Sequence, residues 1–234
     1  MYKETLSLTR ELFFPSACPI CGKPLVTGRE ARLGICADCE ALFALEGGDR
    51  CQVCGRPLIS EIAVCTGCRT AEHVFDKAAV LYPYTRQWMK LLRAYKFRGH
   101  RVLAHFFADK ILEARDLFFD GALFGELVLV PVPPRDGKIK KTGWDQVETI
   151  ARILEQRTRL RRCLKRLPSA SQKKLNAEDR AKNLKGRIIC TKSPPQRVLL
   201  IDDVYTTGAT LEVCASALKE SGAKKVYGLC LFRA

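Results

Sequence analysis

The chain is 234 residues long, 47% hydrophobic, and carries a formal net charge of +15. That length supports a sizeable core in one or two domains, and no apolar run approaches the roughly 18 residues that a bilayer-spanning helix needs. The positive excess points to polyanionic company (nucleic acid, a phosphorylated metabolite or an acidic membrane surface), against the plainer reading of a solvated basic face.

The opening residues, MYKETLSLTRELFFPSAC, have acids early and only a short apolar patch, which does not fit a secretory signal. The expected location is cytoplasmic. Twelve cysteines in a reducing compartment point to metal rather than to disulfides. Eight of them form four Cys-x-x-Cys pairs, Cys18/Cys21, Cys36/Cys39, Cys51/Cys54 and Cys65/Cys68. The pairs belong to an internal repeat, since CPICGKPL (18–25) returns as CQVCGRPL (51–58), each copy followed by a plainer pair.

Two intervening residues let both sulfurs of one tight turn reach a single ion, and the glycine after the second cysteine permits the turn. Two such turns complete a closed tetrahedral site of four cysteines, which is structural rather than catalytic. Residues 1–75 are therefore expected to form a double zinc-ribbon domain with two structural zinc ions. Disulfides or an iron–sulfur cluster are the alternatives. Sequential pairing of the knuckles is the simplest scheme, and a cross-braced one stays open. Such a segment has little besides metal to fold around. It could bind nucleic acid, dock a partner or cap the neighbouring domain.

From residue 76 the pattern changes. AAVLYPY (78–84) reads as a short strand. TRQWMKLLRAYKFRG (85–99) and VLAHFFADKILEAR (102–115) have the spacing of amphipathic helices, the first stopping at Gly99. LVLVPVPP (127–134) is apolar enough for a strand buried on both faces. A basic loop, PRDGKIKKTG, leads to DQVETIARILEQ (145–156), a helix whose Asp145 and Glu148 suggest a capping box. A long, basic, weakly apolar stretch runs from Arg157 to Lys192. VLLID, TLEVCASALKESG (210–222) and KVYGLCLF (225–232) then read as strand, helix and strand. This alternation predicts an α/β domain over residues 76–234 with a mainly parallel sheet. Cys214 and Cys230 read as small core residues. None of the three histidines has catalytic spacing, and Trp144 reads as core at a helix start.

VLLIDDVYTTGATL (198–211) poses a chemical question, because two carboxylates stand beside a turn suited to an anion. In parallel sheets, ligands sit at the carboxyl ends of the strands, where loops meet helix N-termini. Gly208 lets the backbone fold around a phosphate, while the threonine hydroxyls and free N–H groups supply donors. Asp202 and Asp203 would repel phosphate alone, so the ligand needs hydroxyls or magnesium nearby. A ribose 5-phosphate satisfies both requirements. The plainer reading is a solvated strand end and an ordinary helix-capping turn. A magnesium-dependent ATPase is disfavoured, because the chain has no G-x-x-x-x-G-K-[ST] loop.

VLLIDDVYTTGAT resembles the binding motif for 5-phosphoribosyl-1-pyrophosphate (PRPP) of type I phosphoribosyltransferases. With the eight cysteines, YKFRG (95–99), LVPVP (129–133) and the series Gln172, Leu175, Arg180, Asn183, Gly186, nearly the whole chain is similar to the ComF family of competence-associated proteins. The resemblance implies a ribbon domain ahead of a phosphoribosyltransferase-like fold, and a role in DNA uptake during natural transformation. It implies that Asp202 and Asp203 contact ribose hydroxyls and that Thr206, Thr207, Gly208, Ala209 and Thr210 hold the 5-phosphate. It further implies that Arg135, Lys138, Lys140 and Lys141 face pyrophosphate, and that the stretch holding Arg180 is a hood. Magnesium with PRPP, single-stranded DNA and the competence helicase and uptake machinery are the implied partners. The family's Arg-x-Arg-Gly-Phe-Asn-Gln run is altered here, with Lys140 and Thr142 in place of the arginines and Asp145 in place of the asparagine. Lysine keeps charge but loses bidentate phosphate recognition.

An active enzyme would displace pyrophosphate from the anomeric carbon with a nitrogen nucleophile, lysine, arginine and magnesium stabilising the departing charge. Three functions follow: a PRPP-binding protein that assists single-stranded DNA handling in transformation, an active phosphoribosyltransferase of base or nucleotide salvage, and a ribbon-mediated scaffold with a vestigial transferase fold.

Overall fold

The computed structural model describes residues 16–45, 47–58, 62–83, 86–119, 127–168 and 187–233. Its centre is a four-stranded parallel sheet in the order β1-β6-β5-β2, built from β1 (Lys77–Tyr82), β2 (Leu127–Pro131), β5 (Arg197–Tyr205) and β6 (Lys225–Arg233). The apolar runs become strands buried on both faces because both faces are covered. Ala79, Leu81, Leu199, Ile201 and Leu229 point into one core. Ala78, Val80, Val198, Leu200 and Cys230 point into the other.

Helices α4 (Arg86–Phe97), α5 (Leu103–Phe118) and α7 (Gln146–Glu155) pack on the first face. Their buried positions, such as Leu103, Phe107, Ile111 and Ala114 in α5, recur every three or four residues. Helix α8 (Ala209–Glu220) covers the second face with an antiparallel pair, β3 (Leu164–Arg166) and β4 (Ile188–Cys190). Cys163, Cys214 and Cys230 are fully buried there as small apolar side chains.

The ribbon segment contributes three short helices, α1 (Gly28–Leu33), α2 (Ala37–Ala41) and α3 (Thr66–Arg69). Its halves straddle the sheet. Cys18, Leu33, Ile35, Cys36, Cys39 and Phe43 join the first core, whereas Cys51, Cys54, Cys65 and Phe75 join the second. Residues on both sides of position 75 thus share each core. Phe43 meets Tyr82, Trp88 and Phe106 edge-on, so the ribbon folds against the sheet layers as well as around its cysteines.

Both sheet edges are partly covered, which reduces the unpaired strand groups that would invite aggregation. At β2, Leu129 N–H donates to Arg159 O (3.0 Å) and Arg161 N–H to Leu129 O (2.8 Å). At β1, Ala78 N–H donates to Val53 O (2.6 Å) and Arg50 Nη1 donates to Val80 O (3.0 Å). Gly55 makes this approach possible. A Cβ there would come within 2.6 Å of Ala78 O and Ala79 Cα.

Three local readings change. The basic loop after β2 contains a helix, α6 (Lys138–Thr142), bounded by Gly137 and Gly143 at φ +70° and +74°. The capping box of α7 is half formed: Asp145 accepts Glu148 N–H at 3.0 Å, but the Glu148 carboxylate is drawn to Arg162. The weakly apolar stretch yields β3 and β4, whose three-residue lengths are too short to show a periodicity.

Candidate functional site

The repeat folds twice into the same knuckle. Cys18 N–H donates to Lys23 O and Gly22 N–H to Cys18 O, just as Cys51 N–H donates to Arg56 O and Gly55 N–H to Cys51 O. The second pair of each set opens a short helix, with Cys36 and Cys65 at the N-cap of α2 and α3. Pairing is sequential: Cys18, Cys21, Cys36 and Cys39 form one group and Cys51, Cys54, Cys65 and Cys68 the other, with each group's sulfurs within 4.8 Å of one another.

All these thiols are free, and the sulfurs of Cys21 and Cys36 lie 3.6 Å apart, those of Cys54 and Cys65 3.8 Å. A tetrahedron with zinc–sulfur bonds of about 2.3 Å has edges of about 3.8 Å, whereas a disulfide requires about 2.05 Å. The donor sets therefore fit zinc and exclude a cystine. Burial opposes ionisation of Cys18 and Cys51, yet backbone N–H donors outweigh it and bring the thiols down to about 7 and about 6.

Sequence reasoning missed Glu30, which supports the first knuckle. Its carboxylate accepts the N–H groups of Val26, Thr27 and Ala37 at 2.9–3.1 Å. The donors, led by Ala37, lower its pKa to about 2.

The second constellation lies at the carboxyl end of β5. The strand continues through both acids to Tyr205, and α8 starts after Gly208 at φ +85°. A side chain at Gly208 would meet Tyr205, since a Cβ would stand 2.6 Å from its Oη. Asp202, Thr206, Gly208 and Thr210 line one pocket. Thr206 and Thr207 are exposed, and Ala209 and Thr210 are half-buried. Tyr205 packs beneath the turn, with the Arg233 guanidinium 4.4 Å from its ring centre.

The neighbouring acids do not share an environment. Asp203 pairs at 2.7 Å with Lys96, which comes from α4 on the first face. Asp202 lines its pocket with Leu211 and Cys230, residues of the second core. The Asp203 N–H donates to Asp202 Oδ1 at 2.8 Å. Burial, then the charge of Asp203, pushes the Asp202 carboxyl up to about 7, despite that N–H and the charges of Lys96 and Arg166.

The basic residues divide. Arg135, Lys140 and Lys141 are exposed around α6. Lys138 instead donates to Asp145 Oδ2 at 2.5 Å and to Gln146 Oε1, so its ammonium is engaged within the chain. Arg180 and the rest of the hood series lie outside the described residues. Lys96 carried no assignment from sequence, and Arg166 only a place in the basic stretch RLRRCLKRLPSASQKK (159–174), expected to attract a phosphate backbone. Lys96 lies inside YKFRG, the available signal for it. Arg166 has a buried Nε without a partner among the described residues, and burial lowers its pKa against the pull of Asp202.

The double zinc ribbon family model matches residues 9–69. The chain is 29% identical to the competence protein ComFC of Bacillus subtilis, covering 85% of this chain and 84% of that protein. It is 27% identical to competence protein F of Haemophilus influenzae over 87% and 92% of the two chains. With the DNA utilization protein YhgH of Escherichia coli K12 it shares 25% identity over 95% and 99%. No helix among the described residues is long and apolar enough to cross a membrane. Two sequentially paired four-cysteine knuckles, a parallel α/β sheet and likeness along most of its length support a ComF family protein.

Proposed function

We propose that the chain binds PRPP at the carboxyl end of β5, in a phosphoribosyltransferase-like domain, and assists the handling of single-stranded DNA during competence. The observation that carries the ligand reading is Asp202 in one pocket with Thr206, Gly208 and Thr210, ahead of the first turn of α8. The 5-phosphate takes the threonine hydroxyls and the N–H groups that open α8. The ribose hydroxyls take Asp202, and Asp203 joins them by releasing Lys96. Arg135, Lys140 and Lys141 attract the pyrophosphate end electrostatically. Magnesium, arriving with PRPP, supplies positive charge at the pyrophosphate. The role in DNA handling draws on the names of the competence and DNA utilization relatives and on the net charge of +15.

Thermal-shift titration with magnesium and PRPP tests the site. Binding to the folded state at 100 times Kd raises stability by about 2.7 kcal/mol. The parent should show this rise, and Asp202→Asn/Asp203→Asn should lose it. An undiminished rise in the double variant refutes the assignment.

A further inference from the structure

Phe97 closes α4 with 79% of its surface exposed, although Tyr95, Phe106 and Phe107 nearby are completely buried. Its neighbours along the chain have one charge sign. From Lys77 to Ala108 the sequence holds seven lysines and arginines and no acid. The last turn of α4 also meets Trp144, two residues past α6. The Tyr95 ring lies 5.3 Å from Trp144, and the Arg101 guanidinium sits 5.1 Å from the same indole. Phe97, Arg98 and Arg101, where α4 ends, and Lys140 and Lys141, ahead of Trp144, are all exposed, and the Arg101–Trp144 contact brings the two segments together as a rim. Lys96, beside Phe97, holds Asp203 at 2.7 Å, so the rim borders the candidate ligand site. Of the nearby acids, Asp203 and Asp145 are occupied by Lys96 and Lys138, and Asp136 is exposed.

We infer that this rim binds a single-stranded polynucleotide, with Phe97 stacking on a base and Arg98, Arg101 and the α6 lysines contacting the phosphates. The inference rests on the nucleic-acid part of the proposed function and assigns it a surface distinct from the hood. A solvated aromatic ring among cations suits an unstacked base, whose flat face is free. Duplex DNA keeps its bases stacked and offers such a ring only a charged backbone.

Fluorescence anisotropy with labelled oligothymidylate tests this on the full chain. Phe97→Ala should weaken binding about tenfold without changing the salt dependence. Because the ring is exposed, the melting temperature should hold. Arg98→Ala/Arg101→Ala should reduce the slope of log affinity against log salt by about 0.7 per arginine. Binding by Phe97→Ala equal to the parent, or parent affinity for a duplex equal to that for the single strand, overturns the inference. A magnesium–PRPP titration of the same samples separates the two claims. Oligonucleotide binding that depends on Phe97 without a PRPP shift removes the ligand reading alone; a PRPP shift without oligonucleotide binding removes this surface alone.

Discussion

Asp202 is the residue where ligand binding and stability oppose each other. Its pKa of about 7 reflects burial first and the adjacent Asp203 charge second. An unfolded aspartate titrates near 3.9, so the folded state holds the proton more tightly. The contribution of this group to stability is therefore greatest below the unfolded value, falls as pH rises toward about 7, and stays reduced above it. Asp202→Asn removes the charge of this half-buried side chain and retains an oxygen for the Asp203 N–H. The variant should melt a few degrees above the parent at alkaline pH, with the gap closing in acid, while losing its response to PRPP. Melting curves across pH check both outcomes. The sequence marked this acid, but the pleat assigned its surroundings. Neighbouring residues of a strand face opposite ways, which sends Asp203 to Lys96 and leaves Asp202 in the pocket.

At the scale of elements, the last strand links the second knuckle to the threonine turn. Arg233 Nη2 donates to Cys54 O at 2.9 Å, its guanidinium packs on Tyr205, and Tyr205 supports Gly208. The start of α8 is held from the same side, since Glu212 accepts the Val74 N–H at 2.7 Å and pairs with His73. Arg233→Met should therefore lose about 1–2 kcal/mol of stability and release metal from the second knuckle sooner than from the first. Denaturant titration and chelator-competition kinetics measure these effects. The elements themselves were legible because their apolar residues repeat at the periods of buried strands and amphipathic helices. Helix α6 was hidden because its five residues, flanked by glycines, bury no side chain.

Across the whole molecule, three cysteines of the first group and all four of the second join or pack on a core, one on each face of the sheet. Stripping the metal should therefore lower the cooperative stability of the whole fold rather than melt a detachable ribbon. Chelation monitored by near-UV circular dichroism should show loss of the aromatic environment around Phe43, Tyr82 and Trp88 together with metal release. A native-like aromatic spectrum after complete removal would contradict this coupling.

Residue identity and spacing by themselves determined the eight cysteines of the two four-cysteine donor sets, the order of the four parallel strands and the longer helices in residues 76–234, and the acid–threonine motif at the end of a strand. These are local properties, set by how few residues separate two sulfurs or by the period of burial. Only the tertiary structure decided that the knuckles pair sequentially, that the second reaches the β1 edge while the two join the cores on opposite faces of the sheet, that Lys138 is engaged by Asp145, and that Lys96 meets Asp203. Each of these contacts depends on how distant segments or opposite faces are brought together, and spacing along the chain does not encode that.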